Sequence, residues 1–103
     1  MKIWQIKIIQ NYHSIYGEPK TISNGIEYKL GWTNKSGDIE VIFNMNENRV
    51  IVFGPPYSSY IYYDSGAIAT KVQILGSGFL SEHFLESGEK VSFSEYLNQK
   101  GPA

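Results

Sequence analysis

Residues 26–54, IEYKLGWTNKSGDIEVIFNMNENRVIVFG, alternate between apolar and polar side chains in three consecutive runs. Such period-two alternation is typical of half-buried β-strands. Turn-forming residues at 34–37 and 46–47 separate the runs. The stretch therefore predicts a three-stranded antiparallel meander with one apolar face, whose members are Ile26, Tyr28, Leu30, Trp32, Ile39, Val41, Phe43, Val50 and Val52.

The register of the first hairpin follows from the loop between its strands. A four-residue loop at 34–37 places Trp32 opposite Ile39, Leu30 opposite Val41 and Tyr28 opposite Phe43, with Lys29 diagonal to Glu40. A slip of one residue would turn every apolar side chain to the other face. The predicted register is therefore one that keeps the apolar residues together.

Strands are also predicted on both sides of this meander. Residues 2–10 alternate through Trp4, Ile6 and Ile8, which predicts a strand. Residues 11–25 predict a long connection with a short strand near Ile15. Beyond the Gly54-Pro55-Pro56 break, residues 58–63 and 68–75 predict a second hairpin around a Ser65-Gly66 loop, with Ile61 on the buried side and Tyr60 and Tyr62 facing the other way.

Two short helices are predicted at the end of the chain. Leu80 and Phe84 are four residues apart within 79–86, and Gly88 follows as a helix stop. Ser92-Phe93-Ser94-Glu95 matches a capping box before a helix at 93–99. The predicted fold is a mainly β, α+β domain spanning 1–103: an antiparallel meander of five to six strands with two short C-terminal helices. Periodicity leaves open whether the sheet closes partly into a barrel.

Composition and charge narrow the classes of function. Hydrophobic residues make up 42% of the chain and charged residues 18%, which is typical of a chain that folds unaided. The net charge of −1 argues against a nucleic-acid-binding protein, because phosphate neutralisation needs a basic excess. No apolar run approaches a membrane span, and MKIWQIKIIQ lacks the apolar block of a signal peptide. We therefore expect a cytoplasmic protein that does not enter a membrane.

Residues that could carry chemistry are few. The chain has no cysteine, and His13 and His83 have no second ligand at metal-binding spacing, so we expect neither a metal nor a cofactor. Arg49 and Glu40 share a sheet face in the predicted register. With His13, they could form a phosphate-handling enzyme or a nucleic-acid site, in which the arginine holds a phosphate and the carboxylate takes a proton. A cross-strand ion pair explains the same two residues more simply.

The stretch from 50 to 63, VIVFGPPYSSYIYY, carries no charge and mixes tyrosine with serine and glycine. Binding surfaces use that mixture, and their centres are depleted in charge. Tyr57, Tyr60 and Tyr62 are therefore the candidate partner-binding residues in this stretch. Packing of the rings on the sheet, with only the hydroxyls reaching water, is the competing interpretation.

A second candidate surface lies near the end of the chain. Glu82 and Glu86 are four apart, would share one face of the predicted helix, and could attract a basic partner. Together with the tyrosines they favour a small non-enzymatic protein-binding domain, such as an inhibitor or immunity-type protein. The enzyme or nucleic-acid site at Arg49, Glu40 and His13 is the alternative. Sequence alone leaves the partner and the oligomeric state open.

Overall fold

The computed structural model describes residues 1–23, 25 and 28–100, with the backbone alone at 99 and 100. It contains an eight-stranded antiparallel meander, in which each strand pairs with the next along the chain, and one helix at each end of the described chain. The sheet is open. In chain order the elements are α1 (Ile3–Tyr16), β1 (Lys20–Ser23), β2 (Tyr28–Thr33), β3 (Ile39–Asn44), β4 (Arg49–Val52), β5 (Ser58–Tyr62), β6 (Ile68–Leu75), β7 (Gly78–Phe84), β8 (Lys90–Val91) and α2 (Phe93–Lys100).

The mainly β, antiparallel meander is confirmed, but the predicted strand number and helix positions are wrong in part. The sheet has eight strands rather than five or six, and only α2 lies at the C-terminal end. The predicted strand at 2–10 belongs to α1, as does the short strand expected near Ile15. The predicted helix at 79–86 is mostly strand β7.

α1 forms because the chain repeats large apolar side chains every four residues, at Trp4, Ile8, Tyr12 and Tyr16. These residues pack against the core, whereas Ile6, which period-two alternation placed beside them, is 40% exposed. All four lie at even positions and so fit both periods, but the polar, exposed Gln10 and Ser14 between them fit only the helical one. The helical repeat extends through the part of the chain that was predicted to be a loop.

The core lies between α1 and the strands β2 to β5. Its buried side chains are Leu30, Trp32, Val41, Phe43 and Val50, as the alternation predicted. The prediction for Ile26 lies outside the described residues. We call the side of the sheet that α1 covers the α1 face, and the opposite side the α2 face. α2 lies on the latter, where the rings of Phe93 and Tyr96 contact His83.

The first hairpin keeps the predicted faces but not the predicted register. Leu30 lies opposite Phe43 and Trp32 opposite Val41, a shift of two residues that leaves these four side chains on their predicted side. Tyr28 and Ile39, predicted on the apolar face, are 45% and 42% exposed. One residue of the shift comes from the loop, which spans 34–38 between the paired Thr33 and Ile39, and the other comes from a β-bulge between Trp32 and Thr33.

The same turn closes two later hairpins. In each, a Ser-Gly pair ends the turn and the glycine has a positive φ, which is 89° at Gly37, 95° at Gly66 and 98° at Gly88. The first turn residue donates its N–H to the carbonyl four residues later and accepts a hydrogen bond from the glycine N–H. A glycine in the left-handed region lets such a turn match the twist of the flanking strands.

The N-terminal end of α1 is held against two of the sheet's turns. Trp4 Nε1 donates to the carbonyl of Asp64 at 2.9 Å, and Gln5 Nε2 donates to Asn48 Oδ1 at 3.3 Å. The carboxylate of Asp64 accepts from Asn48 Nδ2 at 2.9 Å and lies 3.5 Å from Lys2 Nζ. The hydrogen bond from Asn48, and then the charge of Lys2, lower the pKa of Asp64. Helix α1 thus contacts turns more than 40 residues away in sequence.

Candidate protein-binding surface

Tyr60 and Tyr62 face the core, so the prediction that they point away from it is wrong. Tyr60 lies opposite the fully buried Val50, and both tyrosines pack against the core under α1. The ring of Tyr62 lies 5.3 Å from that of Trp4. Burial, with smaller contributions from Tyr12 and Tyr60, raises the pKa of Tyr62 to about 12. Ile61, predicted to be buried, instead points to the α2 face, because neighbouring strand residues alternate sides.

Tyr57, the third predicted tyrosine, belongs to the α2 face. It precedes β5, and its carbonyl accepts a hydrogen bond from the N–H of Ile74 at 2.9 Å. Its ring meets that of Phe53 edge-on, with centroids 5.8 Å apart. Ile74 in turn lies opposite Phe79 on β7. These four residues form a line across β4 to β7, which we call the aromatic row: Phe53, Tyr57, Ile74 and Phe79.

The aromatic row is an exposed apolar surface. Phe53 is 44% exposed, Ile74 48% and Phe79 74%, and none of the four side chains is charged. Glu40 lies at one end, opposite Phe53, and its carboxylate accepts a hydrogen bond from Asn34 Nδ2 at 2.8 Å. Large exposed apolar patches on folded domains mark interaction surfaces more often than isolated exposed residues do. The row therefore has the composition of an interface centre.

Of this row, only Tyr57 is predicted from the sequence as a binding residue. Phe53 lies in the uncharged stretch 50–63, Ile74 in the second predicted hairpin and Phe79 in the helix predicted at 79–86. One sequence signal for the missed residues is the run from Val72 to Ser81, which carries no charge, as is also true of 50–63. This run indicates a shared surface only when β7 is a strand that lies beside β6.

The predicted acidic helix face is not formed. Glu82 lies in β7 and its carboxylate is 3.2 Å from Lys90 Nζ, while Glu86 is an exposed residue of the turn between β7 and β8. Side chains four apart share a face in a helix, but these two belong to a strand and the turn that follows it. Glu82 and Glu86 therefore do not form the acidic helix face on which the prediction of a basic partner was based.

Arg49, Glu40 and His13 are not brought together. Arg49 lies opposite Asn44 and Glu40 opposite Phe53, so the two share a face, as predicted, but are separated by four residues along the strands. That separation is roughly 13 Å. His13 is exposed on α1, which covers the other face of the sheet. The three residues do not form one site.

His83 is half-buried in β7, within the stretch 79–86 that was predicted to be a helix. Its Nδ1 lies 3.3 Å from Thr70 Oγ1 and its Nε2 lies 3.1 Å from Ser81 Oγ. The rings of Phe93 and Tyr96 lie 5.0 Å and 5.1 Å from the imidazole. A hydroxyl beside an imidazole is one element of nucleophilic catalysis, but the arrangement also needs donors for an oxyanion. What these contacts do directly is attach α2 to β7.

Two further observations concern ligands and membranes. Within the described part of the chain, no group of three His, Asp or Glu side chains is placed to hold a metal ion. Neither of the two described helices has the length and hydropathy that a membrane-spanning helix needs. A surface pocket of about 380 Å³ lies between the end of α1 and the first hairpin loop, lined by Ile15, Tyr16, Thr33, Asn34 and Lys35.

Comparison with known proteins adds no assignment. No protein family, curated protein or solved structure matches this chain.

Proposed function

We propose that this protein is a small non-enzymatic protein-binding domain and that it binds its partner through the aromatic row. The observation that carries the proposal is the exposed, uncharged line of large side chains, from Phe53 and Tyr57 to Phe79, on a face that α1 does not cover. Large aromatic side chains contribute most of the binding energy at interface centres. The tyrosines beneath α1 stabilise the fold instead.

The surface also indicates the chemistry of the partner. The row is uncharged, so the contact is formed by apolar burial rather than by opposite charges. Binding should therefore change little between low and high salt, because salt screens charge–charge attraction and not apolar contact. A basic protein or a nucleic acid held by phosphate contacts would instead bind less tightly as salt rises.

The first step of the test is site-specific crosslinking. A photoreactive phenylalanine at position 53 should crosslink one defined protein in a lysate of the source cells. The same group at His13, which is exposed on α1, should not crosslink that protein. Equal capture at both positions would contradict binding through the row.

The second step is binding to the purified crosslinked protein, measured by calorimetry. The double substitution Phe53→Ser and Tyr57→Ser should weaken binding at least about tenfold, because each truncation at an interface centre removes on the order of 1–2 kcal/mol. The matched control is His13→Ser with Gln10→Ser, two exposed residues of α1. Unchanged affinity in the row variant, with its melting temperature preserved, would overturn the proposal.

A further inference from the structure

Strand β7 has an outer edge that is mostly unpaired. It runs from Gly78 to Phe84, but β8 pairs only with His83 and Phe84. Among the described residues no strand lies beside the stretch 78–82. This edge differs from the aromatic row, which consists of side chains projecting from the sheet face, whereas the edge presents backbone groups.

Two hydrogen bonds show which backbone groups point outward. The N–H of Leu85 donates to the carbonyl of Glu89 at 2.8 Å, so the backbone N–H of Leu85 points to the β8 side of the strand. Ile74 lies opposite Phe79, and its N–H donates to the carbonyl of Tyr57. The N–H of Ile74 therefore points away from β7. Because backbone groups alternate sides along an antiparallel strand, Phe79 and Ser81 direct their N–H and C=O groups outward. Four hydrogen-bonding groups are therefore available at this edge.

The two ends of the sheet are protected differently. The edge strand β1 has four residues, begins at Lys20 and follows Pro19, and short length, lysine and proline all discourage pairing with another chain. The stretch 78–82 of β7 contains neither lysine nor proline, and Phe79 and Leu80 are 74% and 44% exposed. An apolar edge without such protection is suited to receive a further strand.

We propose that the β7 edge pairs with β7 of a second copy of this chain, antiparallel and around a two-fold axis at Leu80. This register places Phe79 opposite Ser81 of the second copy, Leu80 opposite Leu80, and Gly78 opposite Glu82. The two eight-stranded sheets then become one continuous sheet. The inference rests on the edge of β7 and does not depend on the proposed function.

A second copy fits because the edge is complementary to itself. The pairs formed by Phe79 and Ser81 use all four outward backbone groups in two hydrogen-bonded pairs. The only charge in the stretch, Glu82, lies opposite Gly78, so no like charges oppose each other, and Glu82 remains 3.2 Å from Lys90 of its own chain. In each copy β8 begins to pair at His83, so the two β7 strands can pair only along the five residues 78–82.

The side chains are compatible with this pairing on both faces. The two Leu80 side chains meet at the axis on the α1 face, and each Phe79 lies beside the small side chain of Ser81. α2 contacts β7 through the ring of His83, and Ser81 is exposed, so the paired stretch remains accessible. The aromatic rows of the two copies then lie on the same face of the joined sheet.

The experiment compares two charge variants that differ only at position 81. Phe79→Glu with Ser81→Glu places glutamates opposite each other twice across the axis, whereas Phe79→Glu with Ser81→Lys places glutamate opposite lysine twice. Both variants lose the same phenylalanine and the same contact between Ser81 and His83. Sedimentation equilibrium from micromolar to millimolar protein measures the dimer dissociation constant, and far-ultraviolet circular dichroism checks that each variant is folded.

We expect a wild-type dimer, and about tenfold tighter dimerisation by the Glu/Lys variant than by the Glu/Glu variant, since opposite charges across paired strands attract and like charges repel. A monomeric wild type at millimolar concentration, an open polymer, or equal dissociation constants for the two variants would overturn the inference. A dimer whose partner binding is unaffected by Phe53→Ser with Tyr57→Ser would overturn only the proposed function.

Discussion

Gly66 lies in a turn of the sheet and also in contact with the core residue Trp4. It has a φ of 95° in the turn between β5 and β6, and a Cβ built on it would lie 2.7 Å from Cγ of Trp4. That ring atom is close to the helix backbone and cannot move without displacing Trp4, which packs on Phe43 and Tyr62. The close approach of α1 to the sheet therefore requires a residue without a side chain at position 66.

Gly66→Ala should lower the free energy of unfolding more than Gly88→Ala. Gly88 has a similar φ of 98° in the same type of turn, but a Cβ there would meet nothing within 4 Å. Gly88→Ala should cost about 1–2 kcal/mol for the left-handed backbone alone. Gly66→Ala should cost a further 1–3 kcal/mol or so for displacing Trp4. Urea denaturation measures both, and equal costs would show that Trp4 does not limit this turn.

Tyr60 and Tyr62 show why part of the predicted site could not be assigned from sequence. The stretch 57–63 is rich in tyrosine, and the predicted Ser65-Gly66 hairpin sets Ile61 beside Ile68 and Val72, which places Ile61 on the buried side. The rings of Tyr60 and Tyr62 instead fill the space under α1, a helix that the sequence interpretation had assigned to a strand and a loop. Without that helix, nothing in the local pattern decides which side of β5 is covered.

At the scale of elements, the meander and α2 were predictable because several local signals agreed. The alternation around Trp32 and Phe43 indicated a strand at each position, and the turn residues between them indicated a hairpin. For α2, Ser92 and Glu95 form the expected cap: the N–H of Glu95 donates to Ser92 Oγ at 3.2 Å. α1 and β7 had ambiguous periods instead, since Leu80 and Phe84 fit a helix by their spacing of four and a strand by their even separation.

Helix α2 packs on β7 through the rings of Phe93 and Tyr96, which contact His83. His83→Ala removes the ring contacts to Phe93 and Tyr96 and leaves the sheet's hydrogen bonds intact. The backbone amides of α2 should then exchange about tenfold faster or more, because each aromatic contact contributes on the order of 1 kcal/mol.

Hydrogen exchange followed by mass spectrometry resolves this effect by segment. Peptides from β2 and β3 should keep their protection in the His83→Ala protein, and His13→Ala, an exposed change on α1, should leave α2 unaffected. Faster exchange throughout the sheet would show that His83 supports the whole fold and not α2 alone.

The whole molecule is one sheet with a helix on each face: α1, at the start of the described chain, and α2, at its end. Each strand pairs with its sequence neighbour, so every hairpin can form from a short segment of chain. α1 is different, because Trp4 reaches the carbonyl of Asp64, 60 residues away. α1 closes the core over Trp32 and Phe43, while the α2 face beside Phe53 stays uncovered by that helix. One large aromatic residue from each side can therefore test this assignment of faces.

Trp32→Ala and Phe53→Ala should have very different effects on global stability. Trp32 is fully buried beneath Tyr12, with ring centroids 5.3 Å apart, and its truncation should cost about 3–5 kcal/mol. Phe53 is 44% exposed on the α2 face, and its truncation should cost less than about 1 kcal/mol. Urea denaturation followed by tryptophan fluorescence through Trp4 and by circular dichroism measures both variants. If Phe53→Ala is as costly as Trp32→Ala, the α2 face is a second core and the aromatic row is not free to bind a partner.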